Sequence, residues 1–505
     1  MIDVGHQPLP HDAELARQVA VELSEQRGPS GRSRAFLRTR IPSWPRPSAG
    51  EMPASQARKV VLGSDHPFRG VDRLLPVDGA DPPRSFALGG LSTVWGAACY
   101  AFSRNDLVPW PIDPATLEAH YSRAVELLGV DQSSDALASA YPLFGHEVPA
   151  GAASVRRNRW GLESVLTEWR ANEARLGEAG IHVGRSRLAV RLGSGGCVEC
   201  GLCLTGCPVG AIFSSAAPVL ALRSSRRFRY HADRHVLRFH RGNGDLELDV
   251  RDTDGRPAAG LGGFDRVVLA AGALGSFRIA AESLGIPGAR APVLDNEMLV
   301  VPFRRSRRGA LRPPFALSEA AASIETSAAR LHLQLYSAHT HFLGALGQSI
   351  ENAPAWLASA PRWLLSHLAV GFLYLPSTAS RTAVVQAMPS PGGEPWRLRI
   401  DSGAAMGTAS FAAALDRVRA SPRMGLRPLA SLARRTAFGS SGHLAGTLPL
   451  RERAGPLETD RDGRLGGEPR VIVADASVFP ALPAQNPTLT VVANALRVTT
   501  TIASS

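Results

Sequence analysis

Lysine is almost missing from this chain. Lys59 is the only one, so nearly all of the 56 basic residues are arginine, and against 44 acidic residues they leave a net charge of +12. An anionic partner is one reading of that excess; a bias in composition toward arginine is the simpler one. The arginine groups at Arg156, Arg157 and Arg159 and at Arg304, Arg305, Arg307 and Arg308 would suit phosphate or an acidic membrane surface. Neither is interleaved with aromatic residues, so the pattern speaks against nucleic acid as a partner. Long apolar runs are missing too. No stretch reaches the roughly 18 residues of a spanning helix. The most apolar segment, Trp363 to Leu375, is interrupted by Ser366 and His367 and reads as a buried helix, with peripheral membrane contact as the second reading. The first ten residues have neither the basic nor the apolar region of a secretory signal. Cysteine is scarce, with 5 in 505 residues, which excludes a disulfide scaffold and suits a reducing, cytoplasmic compartment. A last absence is the phosphate-binding turn G-x-G-x-x-G after a strand, which occurs nowhere.

What is present suits a soluble globular protein of two or three domains: 44% hydrophobic and 20% charged residues over a length that permits a large core. Near the start, Asp3 and Gly5 read as the end of a strand and a turn, and Asp12 reads as the cap of a helix from Ala13 to about Gln26, with Leu15, Val19 and Leu23 on one face. In a dinucleotide-binding unit an acid so placed holds ribose hydroxyls, with its glycine turn about 20 residues earlier. Arg27 to Gln56 reads as loop. In SFALGGLSTVWGAA, Ser85 to Ala98, the glycines Gly89 and Gly90 permit close backbone approach to a ligand. Asp113 and Pro114 open a helix to about Leu128, and Leu162 to Gly180 reads as another.

Four of the cysteines fall together. Cys197, Cys200, Cys203 and Cys207, followed by Pro208, have the spacing C-x2-C-x2-C-x3-C-P of bacterial iron–sulfur proteins. The soft ligand set leaves zinc open, although structural zinc sites usually split their ligands into two separated pairs. A cluster-free relict or a disulfide pair is the other alternative. Beyond it, Leu237 to Leu248 reads as a β-hairpin turning at Gly242-Asn243-Gly244. FDRVVLAAGALG, Phe264 to Gly275, is a buried strand, a turn at Gly272 and a helix reaching Leu284, an arrangement that approaches phosphate or flavin closely. The richest stretch runs from Gly439 to Val498. His443 stands alone in GSSGHLAGT; Val471 to Ala474 is a buried strand stopped by Asp475; prolines 480, 483 and 487 cross to a helix, Thr488 to Val498, whose apolar face is small at Ala493 and Ala495.

These motifs agree in order with a known family. GGLSTVWGAA at 89–98, VVLAAGALGSFRI at 267–279, GHLAGT at 442–447 and VADASVFPALPAQNPTLTVVANAL at 473–496 resemble the glucose–methanol–choline (GMC) flavin oxidoreductases. The resemblance implies an α/β fold: a Rossmann-like FAD-binding domain from 1–110, 185–296 and 439–505, a helical connecting region at 111–184, and an α+β substrate domain with a mostly antiparallel sheet at 297–438. It implies that the first strand and glycine turn of the FAD domain are missing from this chain. It puts His443 and Asn486 in the active site. Asp475 and Ala476, with Pro487 and Thr488 after Asn486, fall by the flavin. Gly89, Gly90, Ser92 and Gly272 lie along the cofactor, Asp3 on the adenine ribose and Val236 on the adenine. The implied chemistry is oxidation of the CH–OH group of an alcohol or sugar, with His443 as base and hydride passing to flavin N5. An iron–sulfur cluster would hand electrons to a protein or quinone acceptor, as in cluster-bearing dehydrogenases of the family. The wording of GGLS-x-VWG and GTLPL is similar to members from bacterial surface-polysaccharide pathways. A flavin-free remnant and an iron–sulfur electron carrier are the rival readings.

Overall fold

The structure, a computed structural model, describes all residues except 26–29, 34–65, 146–160, 194, 204–205, 310–315, 338–365 and 504–505. The arginines at 156, 157 and 159 and most of the loop expected at 27–56 lie outside the described residues.

The C-terminal stretch folds as its sequence predicts. The Glu468–Val473 strand lies parallel to Val267–Leu269, and Arg464–Leu465 pairs antiparallel on its other side. Both parallel strands end at turns and give way to the Gly272–Ser283 helix and, through the proline crossing, to the Thr488–Ala503 helix. Residues buried along them, among them Leu269, Phe277, Val471, Val473, Phe479 and Ala493, belong to the main core. The free edge of Val267–Leu269 has no partner strand among the described residues, and Val268 is 47% exposed there. The expected hairpin is formed by His235–Arg241 and Leu246–Arg251, with Leu261–Phe264 added beside it. The Asp113 carboxylate caps Pro114–Leu128 by accepting from Ala115 N, and that helix packs on the last one through Tyr121 Oη and Thr490 Oγ1 at 2.8 Å.

A second core sits on an antiparallel sheet. Its strands run in the order Leu426–Pro428, Met298–Arg305, Leu368–Tyr374, Arg330–Ser337, Ala320–Glu325, Ile181–Arg185, with Arg434–Arg435 also on Met298–Arg305. The Glu163–Ala171 and Thr408–Ala420 helices bury Trp169, Phe411 and Leu415 against one face. Here the apolar segment expected as a helix is corrected. Leu368–Tyr374 is a strand near the middle of this sheet, and Ser366-His367 is a turn. A strand covered on both faces loses its polar alternation, and a short apolar run then looks alike in either form. Arg305 also points inward, bonding Ser164 Oγ at 2.9 Å, so the 304–308 arginines are not one surface patch. At the other end, the helix expected from Ala13 with Asp12 as its cap is corrected: it runs Pro10–Ser24, starting two residues before Asp12, with Pro10 at its first position and Asp12 within the first turn without capping it. Leu162 to Gly180 splits into Glu163–Ala171 and Glu173–Glu178. No helix among the described residues is long and apolar enough to cross a membrane.

Candidate active site

His443 lies on a turn that a buried carboxylate holds. Asp295 accepts hydrogen bonds from Gly439 N at 2.7 Å and from the Ser441 hydroxyl, and Ser441 Oγ in turn accepts from His443 N at 3.0 Å. Burial pushes the Asp295 carboxyl up to about 6. The next residue, Asn296, fixes the ring. Its Nδ2 donates to the carbonyls of Leu375 at 2.7 Å and Pro483 at 2.8 Å, so only its oxygen can face His443 Nδ1, 2.9 Å away. Nδ1 must therefore carry a hydrogen. Burial lowers the His443 pKa to about 4, which keeps the ring neutral. Nε2 is then a bare lone pair, and Asn486 Nδ2 donates to it at 3.0 Å. Tyr374 lies nearly parallel to the imidazole, with ring centroids 5.6 Å apart.

A second constellation lies one ladder away. Asp475 is buried and accepts from Gly272 N at 2.8 Å, Ser276 Oγ at 2.6 Å and the Ser477 amide at 2.9 Å. It ties the end of one parallel strand to the first turn of the helix that follows the other. Segments 446–450 and 476–478 then run side by side: Gly446 N donates to Ala476 O at 3.0 Å and Leu448 N to Ser477 O at 2.9 Å. Thr447 Oγ1 also reaches Ala273 O at 2.7 Å. The His443 turn and the Asp475–Gly272 turn are thus one built unit. Pro487 O accepts from Val491 N at the start of the last helix, placing Asn486 just ahead of its N-terminus.

Residues 400–495 match a family model described as GMC oxidoreductase. The C-terminal region of this chain belongs to that family. The solved pyridoxine 4-oxidase from Mesorbium loti is similar over 100% of this chain and 94% of its own, at 15% identity and a TM-score of 0.55. That likeness shows the fold: a Rossmann-like part joined to a second part, with mostly antiparallel sheets, as the sequence predicts. A fungal aryl-alcohol oxidase is similar over 99% of this chain and 98% of its own, at 12% identity and a TM-score of 0.48. No curated protein matches this chain by sequence.

The remaining residues expected at a GMC cofactor fall into two further groups. Ser92 Oγ donates to Gly89 O at 2.5 Å, accepts from Ser215 N at 3.0 Å and lies 2.8 Å from Ser215 Oγ. Asp3 joins the residues after 230: its N–H donates to His231 O at 3.1 Å and its carbonyl accepts from Arg234 N at 3.1 Å. Burial pushes the Asp3 carboxyl up to about 6. Val236 O accepts from Arg278 Nη2 at 2.6 Å, so that carbonyl is engaged within the protein. Whether a flavin suits these residues can be judged at two glycines. Gly90 and Gly272 both have positive φ, 56° and 75°, and a Cβ on either would meet nothing within 4 Å. Open space therefore adjoins both turns, where a flavin could approach the backbone closely; the Gly272 N–H at the start of the 12-residue helix is itself taken by Asp475. The residues present fit the group there.

The cysteine loop is covered by the Pro10–Ser24 helix, whose Leu15, Ala16, Val19 and Ala20 bury Leu202 with Val198 and Cys200 alongside. All its thiols are free, so the disulfide alternative is not formed. Each sulfur accepts a backbone N–H: Cys197 from Glu199 at 3.4 Å, Cys203 from Ala316 at 3.3 Å, Cys207 from Ala211 at 3.2 Å, and Cys200 from Leu202. Burial pushes the Cys200 thiol up to about 11. Among the described residues no group of three or more His, Cys, Asp or Glu side chains is disposed to hold a metal ion. A single ion such as zinc needs its ligands drawn close around one point, and a cluster of several irons spaces them more widely.

Sequence reading missed Asn296, Asp295 and the sheet residues behind Asn486. Asp295 and Asn296 follow the short Arg290–Pro292 strand in a stretch with no motif, and only the fold brings them to a residue 147 positions away.

Proposed function

We propose that this protein is an FAD-dependent oxidoreductase of CH–OH donors, an alcohol or a sugar-type substrate, with His443 as the base. The single observation that carries the reading is the His443 tautomer. Asn296 holds a hydrogen on Nδ1 and leaves Nε2 as the acceptor. A substrate hydroxyl placed between His443 and Asn486 would donate its hydrogen to Nε2 and accept from Asn486 Nδ2, taking over both ends of the present 3.0 Å bond. The proton would leave on a group whose basic form is populated at any pH above about 4. The flavin, when bound, supplies the acceptor for the hydride of the substrate carbon. Gly272, Gly90 and Ser92 would lie along it, with Asp475 bracing the Gly272 turn and Asp3 and Val236 toward its nucleotide end. The proposed division keeps 1–110, 185–296 and 439–505 as the FAD-binding part, 111–184 as connection and 297–438 as the substrate part.

The cysteine loop supports a further element of the same reading, one iron–sulfur cluster held by Cys197, Cys200, Cys203 and Cys207. The supporting observation is the backbone N–H donated to each sulfur, a contact that sulfur ligands of such clusters accept; burial keeps the Cys200 thiol protonated without metal, so binding would have to displace its proton. Such a group would pass electrons onward singly, to a protein or quinone acceptor.

The test is an absorption spectrum of the anaerobically purified protein with flavin and iron assays, followed by anaerobic addition of primary alcohols from benzyl alcohol to hexoses. Bound flavin bleached by an alcohol supports the reading. A flavin-free protein, or a flavin that no CH–OH donor reduces, overturns it.

A further inference from the structure

The Asn486 amide can face His443 in two ways, and only one leaves His443 a base. With Nδ2 toward Nε2, as observed, the neutral ring is satisfied. With Oδ1 there, the ring would need a second hydrogen, because Asn296 already holds one on Nδ1. Something must fix the polarity of Asn486, and the antiparallel sheet supplies it. Gln334, on the Arg330–Ser337 strand, donates from Nε2 to Asn486 Oδ1. Its own amide cannot turn over without loss: Tyr336 Oη donates to its Oε1 at 2.8 Å, and its Nε2 also lies 3.2 Å from His332 Nε2. His332 is fully buried, and burial holds its pKa down at about 3, so it is neutral and Nε2 accepts. Its Nδ1 then donates to Tyr141 Oη at 2.9 Å. The chain of donors runs one way, from Tyr336 through Gln334 and Asn486 to His443 and on to Asn296.

We propose that Gln334 is a positioning residue: it sets the direction of the Asn486 amide and so presents His443 Nε2 as the proton acceptor. The proposal rests on the reading of His443 as base. It assigns the substrate-side sheet a part in the chemistry that goes beyond shaping a pocket. The titratable and charged groups around His443 are His332 and Tyr374 from the sheet and Asp295, itself facing Arg381, from the segment before it.

Three substitutions separate this role from a structural one. Gln334→Met removes the donor without adding charge, and the freed Asn486 turns its oxygen toward Nε2 part of the time, which favours the protonated ring. Gln334→Glu accepts from Asn486 and turns it over fully, and its charge adds to the effect. Tyr336→Phe releases the far end of Gln334 and acts weakly in the same direction. The readout is the 15N NMR titration of His443 in the full chain as purified, assigned by loss of the signal in His443→Ala. In the wild type, Nδ1 should be protonated and Nε2 bare at neutral pH. Gln334→Met should raise the His443 pKa by about one unit and Gln334→Glu by more. A wild-type ring protonated on Nε2, or a Gln334→Met variant with an unmoved His443 pKa, overturns the proposal even if its activity falls. A shift in Gln334→Glu alone would show only the effect of the added charge, and also overturns it. If Gln334→Glu does not fold, the other two variants decide. The titration needs no substrate, so a His443 that behaves as stated in a protein no alcohol reduces would sink the function and leave the positioning standing.

Discussion

The side-chain oxygen of Asn296 lies 2.9 Å from His443 Nδ1, and the nitrogen of the same amide is committed to two backbone carbonyls. A neutral amide so held does what a carboxylate does for catalytic histidines elsewhere: it chooses which ring nitrogen keeps its hydrogen. It does so without a charge that would raise the ring pKa. Asn296→Leu should therefore lower flavin reduction by alcohol about 10–100-fold, the equivalent of about 1–3 kcal/mol for a lost buried polar partner. Bound flavin should stay near the wild-type amount. Rapid-mixing kinetics beside flavin content measures both.

The pH dependence follows from the same ring. Burial lowers the His443 pKa from the usual 6.5 to about 4. With His443 in its proposed role as base the active form is the unprotonated one, so the rate should be level above that value and fall as pH drops through about 4. A free histidine would already be mostly protonated at pH 5. The rate of flavin reduction between pH 4 and 8 shows which applies.

Asp475 should matter for holding the fold around the cofactor more than for the chemistry. Its carboxylate accepts from Gly272 N, Ser276 Oγ and the Ser477 amide. Asp475→Ala leaves these donors buried without a partner, at a cost of about 2–4 kcal/mol. The variant should melt several degrees lower and lose flavin on gel filtration. Thermal unfolding with flavin content in the recovered peak is the measurement.

The cysteine loop predicts iron with acid-labile sulfide in protein prepared without oxygen, and Cys200→Ser should lose it. Zinc in place of iron would mean a single-ion site. Iron analysis and sulfide release on both proteins decide the matter.

The elements around the site were legible where one local pattern carries the whole message. The apolar run stopped by Asp475, the hairpin turning at Gly242 and the capped helix at Asp113 each announce themselves within a dozen residues. His443 and Asn486 stood out through their surroundings, and the structure brings them within 3.0 Å. Asn296 and Gln334 were not legible. Each is an ordinary polar residue in a strand or turn, and its meaning comes from a partner 147 or 152 positions away. The Leu368–Tyr374 strand was misread for a related reason, since its central place in a sheet removes the alternation that would mark it.

The central claim is that His443 Nε2 takes the substrate proton. The most direct measurement is anaerobic single-turnover reduction of the bound flavin by an alcohol, compared between the wild type and His443→Ala at several pH values. The account predicts that the variant keeps its flavin, slows by about 10²–10⁴-fold and loses the acid limb near pH 4. A flavin-loaded His443→Ala protein that is reduced at the wild-type rate, with the same dependence on pH, would contradict it.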